Sequence, residues 1–145
     1  SSGLTREPNI LLCCYIFVIT KKITGGKNMS VIHLTKEGFT SRVADVWGGK
    51  EWRYLGDKPA IIDFFATWCG PCQALAPTLE EIAGKFKDQI YVYKVDVDEE
   101  GDLASLFNIR AVPTLLFVPM EGKPKIHAGA MSKSDLESAI KRVLI

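Results

Sequence analysis

The stretch Ala60-Ile61-Ile62-Asp63-Phe64-Phe65-Ala66-Thr67-Trp68-Cys69-Gly70-Pro71-Cys72 decides how this chain is read. Its first seven residues, Ala60 to Ala66, form a nearly continuous apolar run, the pattern of a strand buried on both faces of a sheet. Two cysteines then stand three positions apart, where strand spacing gives way to helical spacing. Beyond them Leu75, Leu79, Ile82, Ala83 and Phe86 recur on one helical face. Pro77 lies inside that pattern and is expected to kink the helix.

Three chemistries use cysteines at this spacing. A zinc site needs four ligands, and a second pair is not at hand. His33 and His127 stand alone, and Cys13 and Cys14 lie in a distant apolar run. No metal is therefore expected. A structural disulfide closing so short a loop would constrain little of the unfolded chain. A redox centre suits the position better. At a strand-to-helix junction, Cys69 is expected in the first helical turn, where unpaired N–H groups and the helix dipole favour a thiolate. That makes Cys69 the nucleophile. Cys72, one turn further in, is expected to be the more buried and to act as the resolving thiol. Pro71 needs no N–H partner in a first turn, and Gly70 lets a substrate backbone approach closely.

Asp63 is the second anomaly of the stretch. A carboxylate between Ile62 and Phe64 is costly to bury and is expected to have a raised pKa, which suits a group that accepts and returns a proton. Lys94, in the apolar strand Tyr91 to Val97, is its expected partner through the sheet. Both strands lead toward the cysteine end, which favours a role in turnover over a plain ion pair. Val112-Pro113-Thr114 is the third feature, because proline just before a strand removes a ladder donor. A cis X-Pro turn would account for it.

The rest of the chain supplies the frame. A length of 145 residues suits one domain with one core. Hydrophobic content of 47% against 24% charged residues describes a globular protein, not a disordered one. Lys plus Arg number 18 and Asp plus Glu 17, so the balance offers no argument for nucleic acid or an acidic membrane surface. Residues 1–28 differ in character and read as an N-terminal extension, opening on a Ser-Ser-Gly of the kind left by expression tags. The run Ile10 to Ile19 is shorter than the roughly 20 residues a spanning helix needs, and it suits an export leader or a packed arm. A domain is expected over residues 29–145.

Within it, a strand is expected at Val31 to Leu34, then a helix over Lys36 to Val46 capped by Thr35. Trp47 to Pro59 reads as a loop whose aromatic residues pack. Further strands are expected at Ile90 to Val95, Thr114 to Val118 and Lys125 to Ala128, with helices at Leu103 to Phe107 and from a Ser132 cap to about Leu144. That order implies an α/β sheet, partly parallel, ending in an antiparallel hairpin.

With these residues in view, the sequence resembles the thioredoxin family over about Ser30 to Ile145, through "VIHLT", "DFFATWCGPC", "APTLEEIA", "IRAVPTLLF" and "GAMSK". The resemblance implies a thioredoxin fold, a central mixed β-sheet flanked by helices, with the site at the C-terminal end of a parallel strand. It implies that Cys69 attacks substrate disulfides, that Cys72 resolves them, that Asp63 assists deprotonation of Cys72, and that Pro113 is cis beside the cysteines. Trp68, Gly70, Pro71, Val112, Pro113, Gly129 and Ala130 would form the apolar surface that receives an extended substrate. No organic cofactor or metal is implied. Phe65 stands where many members carry a second tryptophan, Gln73 where a basic residue is frequent, and the loop Trp47 to Gly56 is longer than in minimal members.

The expected activity is reduction of protein disulfides. The alternatives are an oxidant or isomerase on the same fold, or a binding module using the Trp47 to Tyr54 loop and the N-terminal arm. Partners would be disulfide-bearing proteins and an electron donor: thioredoxin reductase in the cytoplasm, or a membrane thiol carrier outside it. The apolar leader favours an extracytoplasmic, periplasmic location, with the cytoplasm as alternative.

Overall fold

Strand β2, Ala60–Phe65, is the apolar run anticipated above, and it lies at the centre of the sheet. The computed structural model describes residues 31–145; the extension at 1–28, with Cys13 and Cys14, lies outside the described residues. Around β2 the chain lays down β1 (Val31–His33), α1 (Lys36–Arg42), α2 (Gly70–Lys85), β3 (Tyr91–Asp96), α3 (Gly101–Leu106), β4 (Thr114–Val118), β5 (Lys125–Ala128) and α4 (Lys133–Ala139). A π-helical turn, Ile140–Leu144, closes the chain.

The strands stand in the order β1-β3-β2-β4-β5. β1, β3 and β2 run parallel, while β4 pairs antiparallel with β2 and β5 antiparallel with β4. The mixed sheet and its terminal hairpin match the expectation.

Side-chain alternation along β2 explains the two-layer packing. Ile61 faces a core with Leu75, Leu79 and Ile82 of α2 and Leu136 of α4. Ile62 and Phe64 face a second core with Phe39 of α1, Leu103 of α3 and the aromatic loop. A strand covered on both sides has no room for regular polar alternation, and this is why a lone aspartate within it is conspicuous.

The boundaries differ from expectation where side chains turn inward. α1 stops at Arg42, short of Val46, because Val43 and Ala44 are both fully buried and both send their amides back to Phe39 O, at 2.8 and 3.0 Å. β3 begins at Tyr91 because the Ile90 amide donates to Phe86 O at 2.9 Å and finishes the preceding helix. α3 starts two residues before Leu103 and ends at Leu106. The last helix gives way to a π turn that sets Ile140 and Leu144 against the core. α2 continues through Pro77 to Lys85.

Thr35 caps α1 as expected, its Oγ1 accepting the Gly38 amide at 3.1 Å. The loop after α1 packs: Trp52 lies against Phe39 and Phe107 at ring distances of 6.3 and 6.2 Å. Trp47 Nε1 donates to Thr40 Oγ1 at 2.8 Å, and Tyr54 OH donates to the Lys58 carbonyl.

Candidate active site

The chain leaves β2 at Phe65, turns through a Cys69 N–H to Ala66 O hydrogen bond of 3.2 Å, and enters α2 at Gly70. Cys69 is thus the N-cap of α2 and not, as expected, a residue of its first turn. Its backbone is extended (φ −92°, ψ 113°), and its Sγ accepts the Cys72 amide at 3.1 Å. An N-cap acceptor takes one of the four unpaired amides at a helix start. Here that acceptor is the sulfur expected to react. Pro71 occupies the first turn without loss of a helical hydrogen bond.

Cys69 and Cys72 form a disulfide, with their Cα atoms 5.3 Å apart. Each is 4% exposed, so Cys72 is not the more buried of the two. The reason is the cover over Cys69. Ala66 is buried in one cluster with both cysteines, Phe65, Val97 and Val112 pack against that cluster, and Cys69 Sγ lies 3.7 Å from the Val112 carbonyl oxygen.

Val112-Pro113 is a cis peptide, as anticipated. The Pro113 carbonyl accepts the Gly129 amide at 2.8 Å, which ties the start of the β5–α4 connection to the proline. Gly129 has φ 95°, a left-handed conformation that favours glycine. Ala130 follows it and is exposed.

Trp68 is 71% exposed, and its Nε1 donates to Asp98 Oδ2 at 2.9 Å. Beside the indole lies a groove of about 160 Å³ lined by Val97, Ile109, Arg110, Ala111 and Val112. Sequence reasoning passed over Asp98, Ile109 and Arg110. The acidic run after β3 and the string before Val112 were visible, but nothing local linked either to the indole.

Asp63 is 1% exposed, and its Oδ1 has no hydrogen-bond partner. Burial pushes its carboxyl from the ordinary 3.8 up to about 7, while the nearby Lys94 charge pulls more weakly in the opposite direction. Lys94 is the register partner of Asp63 across β2 and β3. It does not form the direct ion pair that partnership suggests. The four ion pairs among the described residues are Lys36–Asp102, Lys50–Asp45, Lys85–Glu137 and Lys133–Glu81. The Lys94 ammonium sits instead over the Phe65 ring, 4.6 Å from its centroid. A cavity of about 240 Å³ joins Lys94 and Phe65 to Cys72, with Gln73 also on its wall. Gln73 Nε2 donates to Thr67 O at 2.8 Å. The structure therefore brings the cysteines, Trp68, Val112 and Pro113 together, with Lys94 on the wall of a cavity that Cys72 also lines.

Among the described residues, no helix is long and apolar enough to cross a membrane.

Residues 30–142 match the protein family described as Thioredoxin. The chain is 46% identical over 110 residues to a thioredoxin of Borreliella burgdorferi, covering 76% of this chain and 94% of that protein. It is 38% identical over 95 residues to a chloroplastic M-type thioredoxin of Spinacia oleracea, covering 66% of this chain and 52% of that protein. Among solved structures, chloroplastic thioredoxin z superimposes with a TM-score of 0.67 at 28% identity, over 79% of this chain and 94% of that one.

Proposed function

The chain belongs to the thioredoxin family and is a thiol–disulfide oxidoreductase that reduces protein disulfides; we propose that Cys69 carries the attack and Cys72 the release. In the reduced protein the Cys69 thiolate attacks one sulfur of a substrate disulfide. A Cys69–substrate bond forms, the substrate S–S bond breaks, and the first substrate sulfur leaves and takes a proton. The Cys72 thiolate then attacks Cys69 Sγ, forming the Cys69–Cys72 bond and expelling the second substrate sulfur. Two electrons pass to the substrate, and the protein ends in the disulfide state described here.

The observation that carries this assignment is the Cys72 N–H donated to Cys69 Sγ at 3.1 Å. A sulfur at a helix N-terminus that already accepts an amide is stabilised as a thiolate. Asp63, buried behind the site, takes the proton that Cys72 must lose, which its elevated pKa suits at neutral pH. The dithiol is itself the redox group, and the proposal needs no added cofactor or metal. Trp68, Gly70, Pro71, Val112, Pro113, Gly129 and Ala130 receive the substrate chain, and the Val112 backbone pairs with it as an added strand.

The decisive experiment is catalysed reduction of insulin disulfides by wild type and Cys69→Ser. The variant is expected to fall to the rate of the buffer reductant alone; catalytic turnover by Cys69→Ser overturns the assignment. The reduction potential separates reductase from oxidant: a value near the roughly −270 mV of the reducing end supports the former, and one near −120 mV the latter. Trp47 and Trp52 make internal contacts yet remain half-exposed; partner capture that survives with Cys69 and Cys72 both changed to Ala would favour the binding-module alternative, and its loss would count against it.

The donor and compartment are finer parts of the proposal. The bacterial relative bears the plain name thioredoxin, which supports a donor of the thioredoxin reductase type in the cytoplasm. The apolar run Ile10 to Ile19 supports export and a membrane thiol carrier. Cell fractionation decides between them.

A further inference from the structure

Asp63 and Lys94 are paired across two parallel strands, so their side chains leave the same face of the sheet. Adjacent strands lie about 4.8 Å apart, a span that a lysine stem covers easily. A buried carboxylate with an unpartnered oxygen should draw that ammonium in. The ammonium is found elsewhere, 4.6 Å from the Phe65 ring centroid, where the ring face attracts a cation. The ring is itself braced, edge on, by His33 at a centroid distance of 6.0 Å and an angle of 71°.

We infer that Phe65 is a positioning residue: its ring holds the Lys94 ammonium over the cavity beside Cys72 and away from the Asp63 carboxylate. The groups around Asp63 make the consequence specific. On β3 the neighbouring charge is Lys94, with His33 of β1 beyond it in the same register row. On β4 the register partner is Leu115, which carries no charge. From α2, Cys72 shares the cavity with Lys94. An ammonium in direct contact would keep the carboxylate ionised and spoil it as an acceptor of the Cys72 proton. Parked on Phe65, the lysine leaves Asp63 free to cycle between its two forms. That catalytic consequence rests on the proton-transfer role proposed above; the placement of the lysine does not.

The test follows the titration of the Asp63 carboxyl by carbon-13 NMR in the oxidised full chain, a readout independent of turnover. In Phe65→Leu the midpoint is expected to fall, by roughly threefold to tenfold in the protonation constant, as the released ammonium approaches the carboxylate. Phe65→Trp, which keeps a ring face, is expected to stay near wild type. In a Lys94→Met background the Phe65→Leu change is expected to have no effect, because a coupled pair gives a non-additive cycle. A midpoint unchanged or raised in Phe65→Leu overturns the inference, as does an equal fall with Lys94 absent or a fall in Phe65→Trp. Should Phe65→Leu not fold, the unmodified protein supplies a second measurement. The Lys94 Hε protons should show an upfield ring-current shift, and their absence from the ring face overturns the placement. Catalytic turnover by Cys69→Ser would overturn the function alone and leave this titration untouched.

Discussion

The indole of Trp68 is tethered to Asp98 by one hydrogen bond of 2.9 Å, between residues 30 positions apart. The ring is otherwise largely solvent-exposed, and it forms one wall of the groove beside Val112. Asp98→Ala is expected to free the ring and lower kcat/KM for insulin about two- to fivefold, chiefly through KM, while stability changes by less than about 1 kcal/mol. Tryptophan anisotropy decay checks the mobility and steady-state kinetics the cost. A mobile indole with unchanged KM would show that the tether does not matter for substrate.

Asp63 makes stability depend on pH. Its folded carboxyl titrates near 7 against an ordinary value of 3.8, so the folded state binds the proton more tightly than the unfolded one. The associated stability is complete below the unfolded value and is lost as pH rises through about 7. Asp63→Asn has no charge to bury. It is expected to be more stable than wild type at pH 8, by up to about 4 kcal/mol, with the gain vanishing near pH 4. Denaturant titrations at stepped pH measure this; a gain independent of pH would count against burial as the cause.

What the chain order disclosed, and what it hid, follows from range. Asp63 stood out because a carboxylate inside an apolar strand is a local contradiction, and Val112-Pro113 because proline before a strand is another. The cysteine spacing carried its own chemistry. Cys69 was displaced by a single position because the difference between cap and first turn is one residue's backbone angles. The resting place of Lys94 could not be read, since register pairs it with Asp63 while its ammonium sits over the Phe65 ring. Asp98 was hidden for the same kind of reason: its partner lies on another element.

Cys72→Ser removes the sulfur proposed to resolve and leaves the one proposed to attack. The mixed disulfide on Cys69 is expected to accumulate and to appear as a substrate adduct on non-reducing gels and by intact-mass measurement. Absence of any adduct in Cys72→Ser, with the thiol of Cys69 shown to be free, would place the attack elsewhere.

Gly70 has open space where a Cβ would stand and no left-handed angle to protect. Gly70→Ala is therefore expected to stabilise the protein slightly, by about 0.4–1 kcal/mol. The added methyl projects into open space on the surface proposed to receive substrate, so KM for a protein substrate should rise while a small disulfide is reduced as before. Equal effects on both substrates would show that the residue serves the helix and not access.

The bond from the Cys72 amide to Cys69 Sγ makes one atom answer to two masters: it holds the first turn of α2 together, and it is the atom proposed to carry the electrons. An anionic sulfur grips an amide more strongly than a sulfur shared in a disulfide. Solvent exchange of that single backbone proton should therefore slow on reduction and quicken on oxidation, so that the fraying of a helix end becomes a gauge of how many electrons the protein holds.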